Sequence, residues 1–160
     1  MSFVEEKQKE YYDLIKQAAN LDIRTCDGRA LLKAIKENRI STLNAFFAGI
    51  VFSRLDLLEY NQQEWEQGII VYMDYLVFTI IFGDHEVFKW LVKLAKTNCY
   101  QKLGDDFWYR CLNCAVFHGH LEIVGWILKE HPAVKIDKPL FEKSLKNTER
   151  HANIACLLLE

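Results

Sequence analysis

The chain has 160 residues, 51% of them apolar, and carries 20 basic against 22 acidic side chains for a formal charge of −2. That length and apolar content fit one folded domain with a substantial core and exclude a disordered chain. The near balance of charge offers no broad positive field of the kind that phosphate-backbone recognition needs, which argues against nucleic acid as a partner.

At the N-terminus, charge arrives at Glu5, Glu6 and Lys7 before any apolar run could act as a secretory segment, so the protein is expected in the cytosol. Ser2 and Glu5 fit a capping box, and Val4, Tyr11, Leu14, Ile15 and Ala18 recur at helical spacing, predicting a capping helix within residues 1–27. The most apolar stretch, Ile69 to Phe82, is 14 residues long and contains Asp74. A bilayer span needs about 20 apolar residues, so this stretch predicts a buried helix and no membrane partner. Five cysteines, an odd number in a chain without an export signal, predict free thiols rather than disulfides.

The informative signal is self-similarity. Gly83-Asp-His-Glu-Val-Phe-Lys-Trp-Leu-Val-Lys93 aligns without a gap on Gly119-His-Leu-Glu-Ile-Val-Gly-Trp-Ile-Leu-Lys129, 36 residues later. A short apolar helix precedes each glycine, Tyr75 to Phe82 in one case and Cys111 to His118 in the other. The unit is therefore helix, glycine turn, helix, with the glycine supplying a left-handed backbone that ends the first helix. Neither pair can bury its faces alone, but stacked pairs can. Trp90 and Trp126 fall at equivalent positions, which points to core packing on the second helix.

Leu112-Asn-x-Ala-Val-x-x-Gly-His-Leu-Glu-Ile-Val-x-Trp-Ile-Leu-Lys129 resembles the ankyrin repeat, and Gly119 to Val124 matches that family's pattern completely. In the same register Ala30 to Phe47 is a weaker copy in which Asn38, a residue that tolerates left-handed backbone, replaces the turn glycine. A last copy keeps Pro139-Leu140 but lengthens its turn by about three residues relative to the family spacing. The resemblance implies an all-α solenoid of about four helix-turn-helix units in a single domain over 1–160. The N-terminal cap takes 1–27, the repeats take 28–48, 73–97, 109–131 and 137–160, and a helical insertion takes 49–72. The family's Thr-Pro-Leu-His start is altered at Arg29-Ala-Leu-Leu, Asp74-Tyr-Leu-Val and Arg110-Cys-Leu-Asn, which puts its β-turn fingers in doubt.

Candidate chemistry is sparse. Cys111, Cys114, His118 and His120 lie within ten residues, and the first three share a helical face, so a zinc- or small-ligand-binding helical protein is one alternative reading. Against it, the repeat register makes Cys114 a neighbour of core Ala115 and makes His120 the family's turn histidine. An unrecognised enzyme is the other alternative, but no nucleophile elbow, phosphate-cradling glycine loop or His-Glu-x-x-His is present. No catalytic residue, metal ligand or cofactor is assigned.

What the resemblance does imply is a concave face for gripping another protein, as an adaptor, scaffold or inhibitor in the cytosol of its own cell or, for a host-directed protein, of a host cell. The family's contact positions carry over to Lys36 and Glu37, to Met73, Ile81 and Phe82, and to Asp106, Phe107, Tyr109, Phe117 and His118. Among these Ile81, Phe82, Phe107, Tyr109 and Phe117 would make a hydrophobic groove, unless the insertion at 49–72 folds over them. The apolar ending at Leu157-Leu-Leu-Glu160 adds an expectation of self-association through the C-terminal repeat.

Overall fold

A computed structural model describes residues 6, 9, 10, 13, 16, 23–82, 84–98, 103–145 and 149–159, without the side chains of 73, 82 and 149. The described residues form α-helices joined by turns, with no extended strand among them, and divide into two compact units, one ending at Val71 and the other beginning at Tyr72. Glu6, Lys9, Glu10, Asp13 and Lys16 are helical and exposed. The rest of the predicted capping helix, with Ser2, Glu5 and its apolar positions, lies outside the described residues, as does the turn glycine Gly83.

In the first unit α1 (Gly28–Lys36) begins at Asp27, whose extended backbone turns its carboxylate to accept from the Ala30 N–H at 2.8 Å. Leu31, Ala34 and Ile35 face inward at spacings of three and four. The helix stops at Asn38, which adopts φ +58° as its place in the repeat register predicts. The Asn38 N–H then donates to the Ile35 carbonyl and the Arg39 N–H to the Ala34 carbonyl, the paired bonds that close a left-handed helix end.

Ser41 caps the next helix, α2 (Thr42–Val51), by accepting from the Asn44 N–H at 3.1 Å. Here the apolar residues run all round and nearly all are buried, Phe46 and Phe47 completely. Each such ring contributes about 1.5–3 kcal/mol by leaving water. Two short helices, α3 (Leu55–Tyr60) and α4 (Gln62–Gly68), cover α2. Their anchor is Trp65, fully buried edge-on to Phe46 at 5.6 Å, with its indole N–H donating to the Leu58 carbonyl at 2.9 Å. Gly49 lets α3 approach closely, since a methyl group there would come within 2.8 Å of Leu58. Arg54 fixes the segment before α1 by donating to the carbonyls of Ile23 and Cys26 while its guanidinium forks onto Asp56.

The second unit is a stack of helix pairs: α5 (Met73–Phe82) with α6 (His85–Asn98), α7 (Asp105–His118) with α8 (Leu121–Glu130), and α9 (Lys138–Ser144) with α10 (Glu149–Leu158). Within each pair the helices pack on one another. Between pairs α5 packs on α7, α7 on α9, and α8 on α10, so the first helices form one row and the second helices another. This is a helical repeat solenoid, in which each pair buries its apolar stripe only against its neighbours. Val87, Phe88, Leu91 and Leu94 of α6, Trp108, Leu112 and Ala115 of α7, and Ile123, Val124 and Ile127 of α8 fill the space between rows. Trp90 is buried, whereas Trp126 is half-buried against Phe88, Trp108 and His131.

Candidate functional site, the Phe117 turn

The residues expected to meet a partner divide between the units. Lys36 ends α1 and is exposed, and Glu37 beside it pairs with Arg39 at 3.0 Å and Lys33 at 3.9 Å, exposed contacts worth little in water. Met73 and Phe82 belong to α5, but their side chains lie outside the described residues. The others are on the second unit, and they do not form one surface.

α7 starts four residues before the boundary that the repeat pattern suggests. Gly104 takes the extended conformation of a helix cap, and Asp105 and Asp106 follow it in the first turn, where carboxylates favour the positive end of the helix dipole. Asp106 and Phe107 are therefore helical rather than part of a preceding loop. Asp106 is exposed, but Phe107 is 1% exposed and packs edge-on to Trp108 at 4.8 Å, so it serves the core. Tyr109 is half-buried and its hydroxyl donates to both carboxylate oxygens of Asp137 at 2.9 Å. Asp137 in turn caps α9 by accepting from the Leu140 N–H, so Tyr109 fastens the third helix pair to the second. Burial, then Asp137, raises the Tyr109 pKa, which keeps the phenol a donor.

At the other end of α7, about 12 Å along the axis from Tyr109, the chain presents a different surface. Phe117 is 50% exposed, and its ring meets His118 edge-on at 5.1 Å. The helix ends at Gly119, φ +74°, where the Gly119 and His120 N–H groups donate to the Val116 and Ala115 carbonyls. His118 is exposed and lies nearly parallel to His120 at 6.0 Å. His120 joins this turn to the end of α5 by donating to the Ile81 carbonyl, and Ile81 itself is half-buried. The structure thus sets Phe117 beside His118, links their turn to Ile81 only through the His120 ring, and leaves Asp106, Phe107 and Tyr109 at or near the other end of α7. Reading the sequence missed His151, which reaches this turn from α10 and places Nε2 3.2 Å from the Phe117 carbonyl. No spacing signal could have found it, because the last copy departs from the repeat register.

On the same helix Cys111 is buried and Cys114 is half-buried. Burial raises the Cys111 thiol well above its ordinary range and pushes Cys114 up to about 11. Metal ligation needs the thiolate, which this environment disfavours. Among the described residues no group of three or more histidine, cysteine or carboxylate side chains is arranged to hold a metal ion.

A stack of helix pairs, one of them joined by the left-handed turn at Gly119, defines a class, the helical repeat proteins. Within it the family model described as ankyrin repeats (many copies) matches residues 74–128, from α5 to most of α8, so that segment is similar to ankyrin repeats. No curated protein and no solved structure matches the chain. No helix among the described residues is long and apolar enough to cross a membrane.

Proposed function

We propose that the chain is a non-catalytic protein-interaction module, an adaptor, scaffold or inhibitor, that grips a partner protein in the cytosol at the Phe117 turn. Ankyrin repeats generally mediate protein–protein contacts, and residues 74–128 are similar to them. The observation that carries the reading is the half-exposed ring of Phe117, held at the end of a helix whose other apolar residues are turned inward. A ring left in water at a rigid position is a source of interface energy, because its burial is gained without ordering a flexible segment. His118 supplies a polar neighbour at 5.1 Å, so the patch combines an anchor with a hydrogen-bonding rim.

Capture from cell extract with wild-type protein, Phe117→Asp and Ile136→Asp tests this. Ile136 is 40% exposed in the loop before α9 and serves as an apolar control elsewhere on the second unit. Expected is a protein retained by wild type and Ile136→Asp but lost by at least about tenfold with Phe117→Asp, the loss typical of a hot-spot ring. Retention of the same proteins by Phe117→Asp, with its helical content unchanged, contradicts the assignment.

A further inference from the structure

The turn that carries Phe117 is also where histidines from two helix pairs gather. His118 closes α7, His120 opens α8, and His151 enters from α10. His151 is 8% exposed, and a methyl group on Gly119 would approach its Cε1 to 2.8 Å, so α10 is seated directly on the turn. The groups around His120 among the described residues can be named by element. From α7 comes His118, and from α10 come Arg150 and His151. From α5 comes the Ile81 carbonyl, already occupied by the His120 ring. Glu122, on the same helix as His120, turns to His85 of α6 at 3.5 Å, and Asp84 caps α6 through the Val87 N–H.

The second ring nitrogen of His120, Nε2, is buried with no hydrogen-bond partner among the described residues. A neutral imidazole leaves only one uncharged lone pair without a partner, the smaller of the two penalties. The imidazolium does not, because its new N–H would be buried without an acceptor. The added charge would also sit beside the Arg150 guanidinium and two further imidazole rings.

We propose that the Gly119 turn is an acid-labile joint: protonation of His120 at Nε2 places an unpartnered donor and a positive charge against His118, His151 and Arg150, and loosens the seat of α10 on the turn. Phe117 and His118 belong to that turn, so acid also withdraws the binding face, a consequence that rests on the proposed function, whereas the joint itself does not. The electrostatic direction agrees. Burial, then His118 and Arg150, lower the His120 pKa from 6.5, and the Ile81 carbonyl only partly offsets them. The unfolded chain therefore takes up the proton first. Stability is complete above 6.5 and declines as pH falls through that value toward the lower folded pKa.

The test uses the full chain without a partner: proton NMR titration of the histidine rings, amide exchange, and thermal melts at about pH 7.5 and about pH 5.5, on either side of ordinary histidine titration, for wild type and His120→Asn. Expected are a His120 ring that titrates below an ordinary histidine and exchange in α10 that accelerates in acid beyond the intrinsic pH effect. The acid-induced fall in melting temperature should be larger in wild type than in His120→Asn, by about 2–4 °C for each kcal/mol of lost stability in a chain of this size. His131, whose pKa burial also lowers, is present in both proteins and cancels in that difference. A His120 ring titrating at or above 6.5, or equal falls in the two proteins, overturns the proposal. Should His120→Asn fail to fold, the wild-type titration and exchange decide alone.

Discussion

The turn at Asn38 in the first unit and the turn at Gly119 in the second close with the same two backbone bonds, 3.1 and 2.9 Å long in each, although one is built on asparagine and the other on glycine. A third turn, at Ser53, repeats the pattern: φ is +52°, and the Ser53 and Arg54 N–H groups donate to the Ile50 and Gly49 carbonyls. The hydrogen bonding is thus what the helix ends share, and the residue sets only how costly the left-handed backbone is. Glycine has no Cβ to clash, asparagine tolerates the conformation, and serine bears more of the full steric cost. What distinguishes Gly119 is its surroundings, because His151 occupies the space that a side chain would need.

That comparison can be sharpened at either end. The largest effect belongs to Gly119→Ala, where left-handed strain adds to the collision with His151, and urea unfolding should show a loss of about 2–4 kcal/mol. If the loss is no larger than the strain alone, about 1–2 kcal/mol, α10 is not seated on the turn. The smaller effect has the opposite sign. Ser53→Gly relieves strain at an exposed position and should raise stability by about 0.5–1 kcal/mol. A destabilised Ser53→Gly would mean that the serine hydroxyl, rather than the backbone pattern, holds that turn.

Much of the second unit was legible in the sequence because two copies preserve glycine, glutamate, tryptophan and lysine at one spacing, and a repeated pattern is hard to produce without a repeated structure. Asn38 was legible for a related reason: the register marked the position and the residue type fits it. Ser53 was not, since serine has no left-handed preference and lies outside the repeat pattern. Trp65 stands among glutamines and glutamates, so its complete burial depends on α2 lying beneath it, a tertiary fact. Phe107 was placed on the binding face by the family's register. The cap at Gly104 and the two aspartates after it lengthen α7 and turn that ring inward instead. Phe117, at the opposite end of the same helix, is open because the turn bonds end the helix there before its ring can be covered from the C-terminal side.

The proposal that Phe117 is the anchor can be examined most directly by proximity. A photoreactive phenylalanine analogue placed at 117, with the same group at 136 as control, is irradiated in cell extract and the adducts are identified by mass spectrometry. The account predicts a discrete protein adduct at 117 that is absent or much weaker at 136. An adduct formed equally at both positions, or none at 117 while the chain remains folded, would contradict it.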